Sequence, residues 1–85
     1  MRRTELKEIL QKNTEESRWY YHRYPCLYRD LMLWEYYLQC VSLRRKQKIH
    51  APKNRARLDV CDDYAISEKT FYAIRRTLCE LCEDV

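Results

Sequence analysis

Seven cations fall between positions 44 and 57 with no acid among them: Arg44, Arg45, Lys46, Lys48, Lys53, Arg55 and Arg57. Such a run creates a local positive field, and its natural counterpart is a polyanion held by sequence-independent phosphate contacts. The same composition also suits a solvated helix end and loop. The formal net charge of +4 understates the run, because the acids gather at Asp59, Asp62 and Asp63 and at Glu80, Glu83 and Asp84. A second arrangement with chemistry in it is Cys79-Glu-Leu-Cys82. A structural zinc site needs four ligands, usually from two such pairs. Here one pair stands on a helix with only Cys61 and His50 as remote partners, so the favoured reading is two cysteines filling core gaps, with no metal. Third, the run Trp19-Tyr-Tyr-His-Arg-Tyr-Pro-Cys-Leu-Tyr28 sets aromatics beside cations. Aromatic–cation runs can stack single-stranded bases and are also favoured at protein interfaces. Core and interface packing is the favoured reading, and His22 is then a partly exposed spectator. The two histidines belong to no motif, and there is neither a serine elbow nor a phosphate-cradling glycine loop. No catalytic residue and no cofactor is expected.

These residues have to be positioned by a small fold. Eighty-five residues make one domain, 46% apolar and 35% charged, with eight tyrosines and two tryptophans. That is a folding composition, since disordered chains are poor in aromatics. Glycine is absent and the only prolines are Pro25 and Pro52. Tight hairpins favour Asn-Gly, Asp-Gly or Gly-Gly, and none occurs. A parallel sheet needs more chain than this, so an all-α fold of four or five helices is expected. Five cysteines without a disulfide-framework spacing, and an N-terminus lacking an apolar leader, point to a cytoplasmic protein with free thiols. The longest uncharged run, Tyr36 to Leu43, is far too short to span a bilayer.

Leu6, Ile9 and Leu10 recur at helical spacing. Asn13 with Glu16 can cap a second short helix over 14–24, or one helix can run straight through. After Pro25 a long helix is expected over 26–47, roughly 33 Å at about 1.5 Å per residue. Leu27, Leu31, Trp34, Leu38 and Val41 form its stripe, flanked by Tyr28, Met32, Tyr36 and Cys40. This aromatic face packs on the N-terminal helices or seats a second protomer. His50-Ala51-Pro52 then breaks the helix, Asn54 can cap a helix over 55–64 with Leu58, Cys61 and Tyr64 inward, and Ser67 caps a last helix reaching about Glu83. Phe71, Ile74, Leu78 and Leu81 form the buried stripe of that last helix.

Residues 58–77 carry the most information. Cys61 is a small residue at a close crossing, Tyr64 an apolar residue near a helix end, and Ile66 an apolar plug in the turn. Ser67, Phe71 and Ile74 are the cap and the first buried positions of the next helix. This is the packing of a helix-turn-helix over 54–83. It leaves Glu68, Lys69, Tyr72, Ala73 and Arg76 outward, where such a helix reaches base edges in a major groove. The stretch Tyr64-Ala-Ile-Ser-Glu-Lys-Thr-Phe-Tyr-Ala-Ile-Arg-Arg resembles the Y-x-(I/V)-S-x-x-T-(aromatic or aliphatic)-Y-x-I core of bacterial and phage helix-turn-helix regulators. It is similar to the C-terminal motif of Mor-type activators, of short phage late-gene regulators and of region-4-like sigma domains.

That resemblance implies duplex DNA binding through the second helix and transcriptional regulation in a phage or mobile element, with RNA polymerase contact in the sigma-like case. On it, Arg76 reads guanine, Lys69 and Tyr72 contact phosphates or base edges, and Ser67 with the basic run holds phosphates. One departure is Ala65, at a turn position usually held by glycine. A non-glycine residue at positive φ costs of order 1 kcal/mol, so either a tightened turn or an extended helix is expected. With no residues beyond Val85, no β wing is expected. A homodimer through helix 26–47 would suit a palindromic site. The contrasting reading is a protein-binding adaptor or inhibitor that uses the aromatic face of helix 26–47 and has no affinity for DNA.

Overall fold

A chain with no glycine and prolines only at 25 and 52 has few places to break a helix. The computed structural model describes residues 1–85 as five helices: α1 Arg3–Gln11, α2 Glu15–Arg23, α3 Leu27–Lys46, α4 Pro52–Tyr64 and α5 Glu68–Leu81. The fold is all-α, as the composition implied. No helix is long and apolar enough to cross a membrane. The molecule measures 44 × 23 × 19 Å.

Capping decides the first boundary. Thr14, not Asn13, is the N-cap of α2, and its hydroxyl oxygen accepts from the Ser17 N–H at 3.2 Å. Glu15 and Glu16 follow in the first turn, where acids favour the helix dipole. The first two helices are therefore separate. α4 begins at Pro52, three residues before the expected start. Proline suits a first helical position, where its missing N–H has no intrahelical partner to lose. Asn54 consequently lies inside the helix and does not cap it.

α3 is the spine, packed against α1, α4 and α5. Of its expected stripe, Leu27, Leu31, Trp34 and Val41 are buried and Leu38 is half-buried. Leu33 and Cys40, on other faces, are buried as well, because neighbours flank the helix on several sides. The chain's own helices thus cover much of the stripe expected to seat a second protomer, while Leu38 and the flanking Tyr28, Met32 and Tyr36 stay half-buried.

α4 rotates away from its expected register. Ala56 and Val60 are wholly buried, Leu58 is 43% exposed and Tyr64 is 36% exposed. Small side chains at 56 and 60 let α4 lie close along α3, and Tyr64 packs over Tyr36 with ring centroids 5.9 Å apart. Cys61 is half-buried. The aromatic centre is Phe71 of α5, lying 5.9 Å from Trp34 and 5.2 Å from Tyr37.

Candidate nucleic-acid interface

The sequence between α4 and α5 dictates a three-residue turn. Ala65 adopts the left-handed conformation at φ 52° and ψ 46°. Its N–H donates to the Asp62 carbonyl at 3.3 Å, and the Ile66 N–H donates to the Cys61 carbonyl at 3.0 Å. That bond pair is a Schellman motif, usually built on glycine. Alanine therefore occupies the glycine conformation, with neither the tightened turn nor the longer helix. Ile66 is half-buried against the core. Ser67 then caps α5, its hydroxyl oxygen accepting from the Thr70 N–H at 3.1 Å. Phe71, Ile74 and Leu78 face inward. Leu81 is only half-buried, and Cys82 closes the stripe in its place.

The opposite face of α5 is at the surface. Glu68, Lys69, Tyr72, Ala73, Arg75 and Arg76 are all exposed. Two of them are engaged by α4: the Arg57 guanidinium donates to the Tyr72 hydroxyl at 3.0 Å and lies 3.6 Å from the Glu68 carboxylate. Lys69 and Arg76 make no ion pair.

The basic run divides in two. Arg44 places Nε and Nη2 each 2.9 Å from Asp59 Oδ2, with both side chains about three-quarters buried. Arg57 donates also to Asn54 Oδ1 at 3.1 Å and sits 5.8 Å above the Tyr72 ring. These two arginines, expected to meet phosphate, tie helices together in the structure. Their partners lie 15 and 11 positions away in sequence, across a helix packing that local spacing does not encode. Arg45, Lys46, Lys48, Lys53 and Arg55 are exposed and make no ion pair. Ser67 also donates its hydroxyl to Thr70 Oγ1, so its role is the cap.

Beside this surface α3, α4 and α5 enclose an open groove of about 490 Å³. Trp34, Tyr37, Val41 and Phe71 line it together with Arg45, Lys53, Arg57, Arg75 and Tyr72. Sequence reading passed over Arg75 and Tyr37. The only available signal was that Arg75 lies one turn after Phe71, on the flank between the buried and outward faces of α5.

The other candidate chemistry does not assemble. No group of three or more His, Cys, Asp or Glu side chains comes together to hold a metal. All five cysteines are free, and burial pushes the thiols of Cys40, Cys61 and Cys82 up in pKa, away from the reactive thiolate. Cys79 is exposed while Cys82 is buried, so the pair does not face one site. In the aromatic run, Tyr20, Tyr21, Tyr24 and Tyr28 pack against the core, and Trp19 stays 56% exposed beneath the Arg23 guanidinium. No known protein family matches the chain, and neither a curated protein nor a solved structure shows significant similarity to it.

Proposed function

We propose that the protein binds duplex DNA in a sequence-dependent way, with α5 as the reading helix, and that it regulates transcription. The observation that carries this reading is the row Lys69, Tyr72, Ala73 and Arg76, exposed on a capped helix that follows a three-residue turn. Arg76 is the candidate for guanine, since bidentate arginine–guanine pairs are the commonest specific contact and are worth roughly 1–3 kcal/mol. Lys69 and Tyr72 stand beside it for base edges or phosphates. Tyr72 is held by Arg57, which restricts its rotamers before any ligand arrives. Glu68, paired with Arg57, is a weaker candidate than the sequence suggested. Arg45, Lys46, Lys48, Lys53, Arg55 and Arg75 form the revised phosphate set, from which Arg44, Arg57 and Ser67 are removed.

The adaptor reading has less surface to use, because Leu27, Leu31, Trp34 and Val41 of its α3 face are buried within the chain. Binding to random and selected duplexes across a salt series is the test. Each lost phosphate contact lowers the slope of log K against log salt by about 1. Arg55→Ala should therefore flatten the slope by about 1, and Arg44→Ala should leave it unchanged. Arg76→Ala should weaken the selected duplex about tenfold or more relative to random duplex, with an unchanged melting temperature. If Arg76→Ala binds the selected duplex like the parent, α5 is not the reading helix.

A further inference from the structure

The groove between α3, α4 and α5 has two unlike walls. One is aromatic and largely buried, with Trp34 4.7 Å from Tyr37 and Phe71 next to both. The other carries Arg45, Lys53, Arg57 and Arg75. No aspartate or glutamate side chain lines the space, to which the segment after α5 contributes Val85, and Arg45, Lys53 and Arg75 have no ion-pair partner in the molecule. Like charges facing a shared hollow repel, and the arrangement is relieved when an anion sits between them.

The Tyr37 hydroxyl belongs to a residue lining the groove and responds to its charges. Burial raises its pKa, while the charges of Arg75, Arg57 and Arg45 oppose that rise. Arg45, Arg57 and Arg75 thus line the same hollow as the Tyr37 ring and lower the cost of a negative charge there. A free inorganic phosphate would engage the cations and leave the rings unused. A neutral aromatic would leave the cations unrelieved. The hollow of about 490 Å³ lies within the range of small-molecule sites, about 300–1,000 Å³.

We infer that this groove is a binding site for a nucleotide-sized aromatic phosphate ester, its ring against Trp34 and Tyr37 and its phosphate among Arg45, Lys53 and Arg75. The site borders the outward face of α5 and shares Arg45, Lys53 and Arg75 with the phosphate set proposed above, but binding of a small ligand there requires neither Arg76 nor duplex DNA. Arg57, already committed to Glu68 and Tyr72, forms the back of the phosphate pocket and links the groove to the Tyr72 side chain.

The test uses the full chain carrying Trp19→Phe, which leaves Trp34 as the single indole reporter. Adenosine 5′-monophosphate, adenosine and inorganic phosphate are each titrated without DNA, following tryptophan fluorescence and, independently, calorimetric heat. The nucleotide should saturate, with an affinity at least about tenfold above either fragment. The double change Arg45→Ala with Arg75→Ala should weaken it at least about tenfold while the thermal transition stays in place. Lys12→Ala, an unpaired cation outside the groove, should change nothing. No saturable signal overturns the inference. So does equal affinity for inorganic phosphate, or nucleotide affinity insensitive to the double change. Loss of duplex binding in the Arg76→Ala experiment bears on the other reading alone, since nothing in this titration involves Arg76 or DNA.

Discussion

Arg44 and Arg45 are neighbours in sequence with opposite tasks. Arg44 sets two nitrogens on one oxygen of Asp59 at 2.9 Å, whereas Arg45 points to solvent at the mouth of the groove. Arg44→Ala should cost about 1 kcal/mol, the yield of a charge-assisted pair still partly screened by water. Arg45→Ala should stay within about 0.5 kcal/mol of the parent. Urea denaturation of the two variants separates the roles, and equal midpoints would contradict them. Phe71 is 3% exposed among Trp34, Tyr37 and Tyr72, so Phe71→Ala should cost roughly 3–5 kcal/mol and abolish the transition in the smallest stability margins. Sequence alone located Phe71, because its spacing to Ile74 and Leu78 is local. It could not separate Arg44 from Arg45. A charge run shows where cations are, but Asp59 reaches Arg44 only after α4 folds back along α3.

At the scale of helices, a missing residue type leaves its mark. Two helix ends close with the same Schellman bond pair, α3 at Lys48 and α4 at Ala65, and both residues sit at positive φ, 57° and 52°. Glycine usually takes that place, and this chain has none. Ala65→Gly should therefore raise stability by about 1 kcal/mol, an increase in melting temperature of about 4–8 °C for a domain of this size. A lower melting temperature would mean that the turn does not hold this conformation. Ser67→Ala removes the acceptor for the Thr70 N–H and should cost about 1 kcal/mol, with helicity read by circular dichroism. The legibility of the two last helices differed for a physical reason. α5 carries large apolar residues on one face and polar residues on the other, so its burial pattern was readable. α4 is buried through Ala56 and Val60, while the bulkier Leu58 and Tyr64 face outward. Size misleads where two backbones lie close and only small side chains fit between them. The spine was harder still, since a helix with neighbours on several sides has no single stripe.

At the scale of the whole molecule, α1 and the segment after α5 are joined through one arginine. Arg3 donates its backbone N–H to Asp84 Oδ1 at 2.9 Å, sets Nε 3.3 Å from Asp84 Oδ2 and reaches Glu35 of α3 at 3.2 Å. Burial raises the Asp84 pKa, but the Arg3 backbone N–H and guanidinium outweigh it and hold the carboxyl below its ordinary value of 3.8. A folded-state pKa below the unfolded one means that the contribution is complete above the unfolded value. It is lost as pH falls through the folded one. The stability gap between parent and Asp84→Asn should accordingly be constant from about pH 7 to about pH 5 and narrow below about pH 4. Urea midpoints measured over that range check it, and a gap independent of pH would show that the carboxylate charge contributes nothing.

The Glu83 N–H also donates to the Met1 carbonyl at 2.9 Å, and the Met1 ammonium lies 3.9 Å from the Glu83 carboxylate. A first residue that touches the segment just after α5 leaves the order of the helices along the backbone free to be cut elsewhere. A circular permutant, sealed by a short linker between these ends and reopened at Ile49–His50, should regain the parent's helical spectrum, because the bond opened lies between α3 and α4, outside both helices.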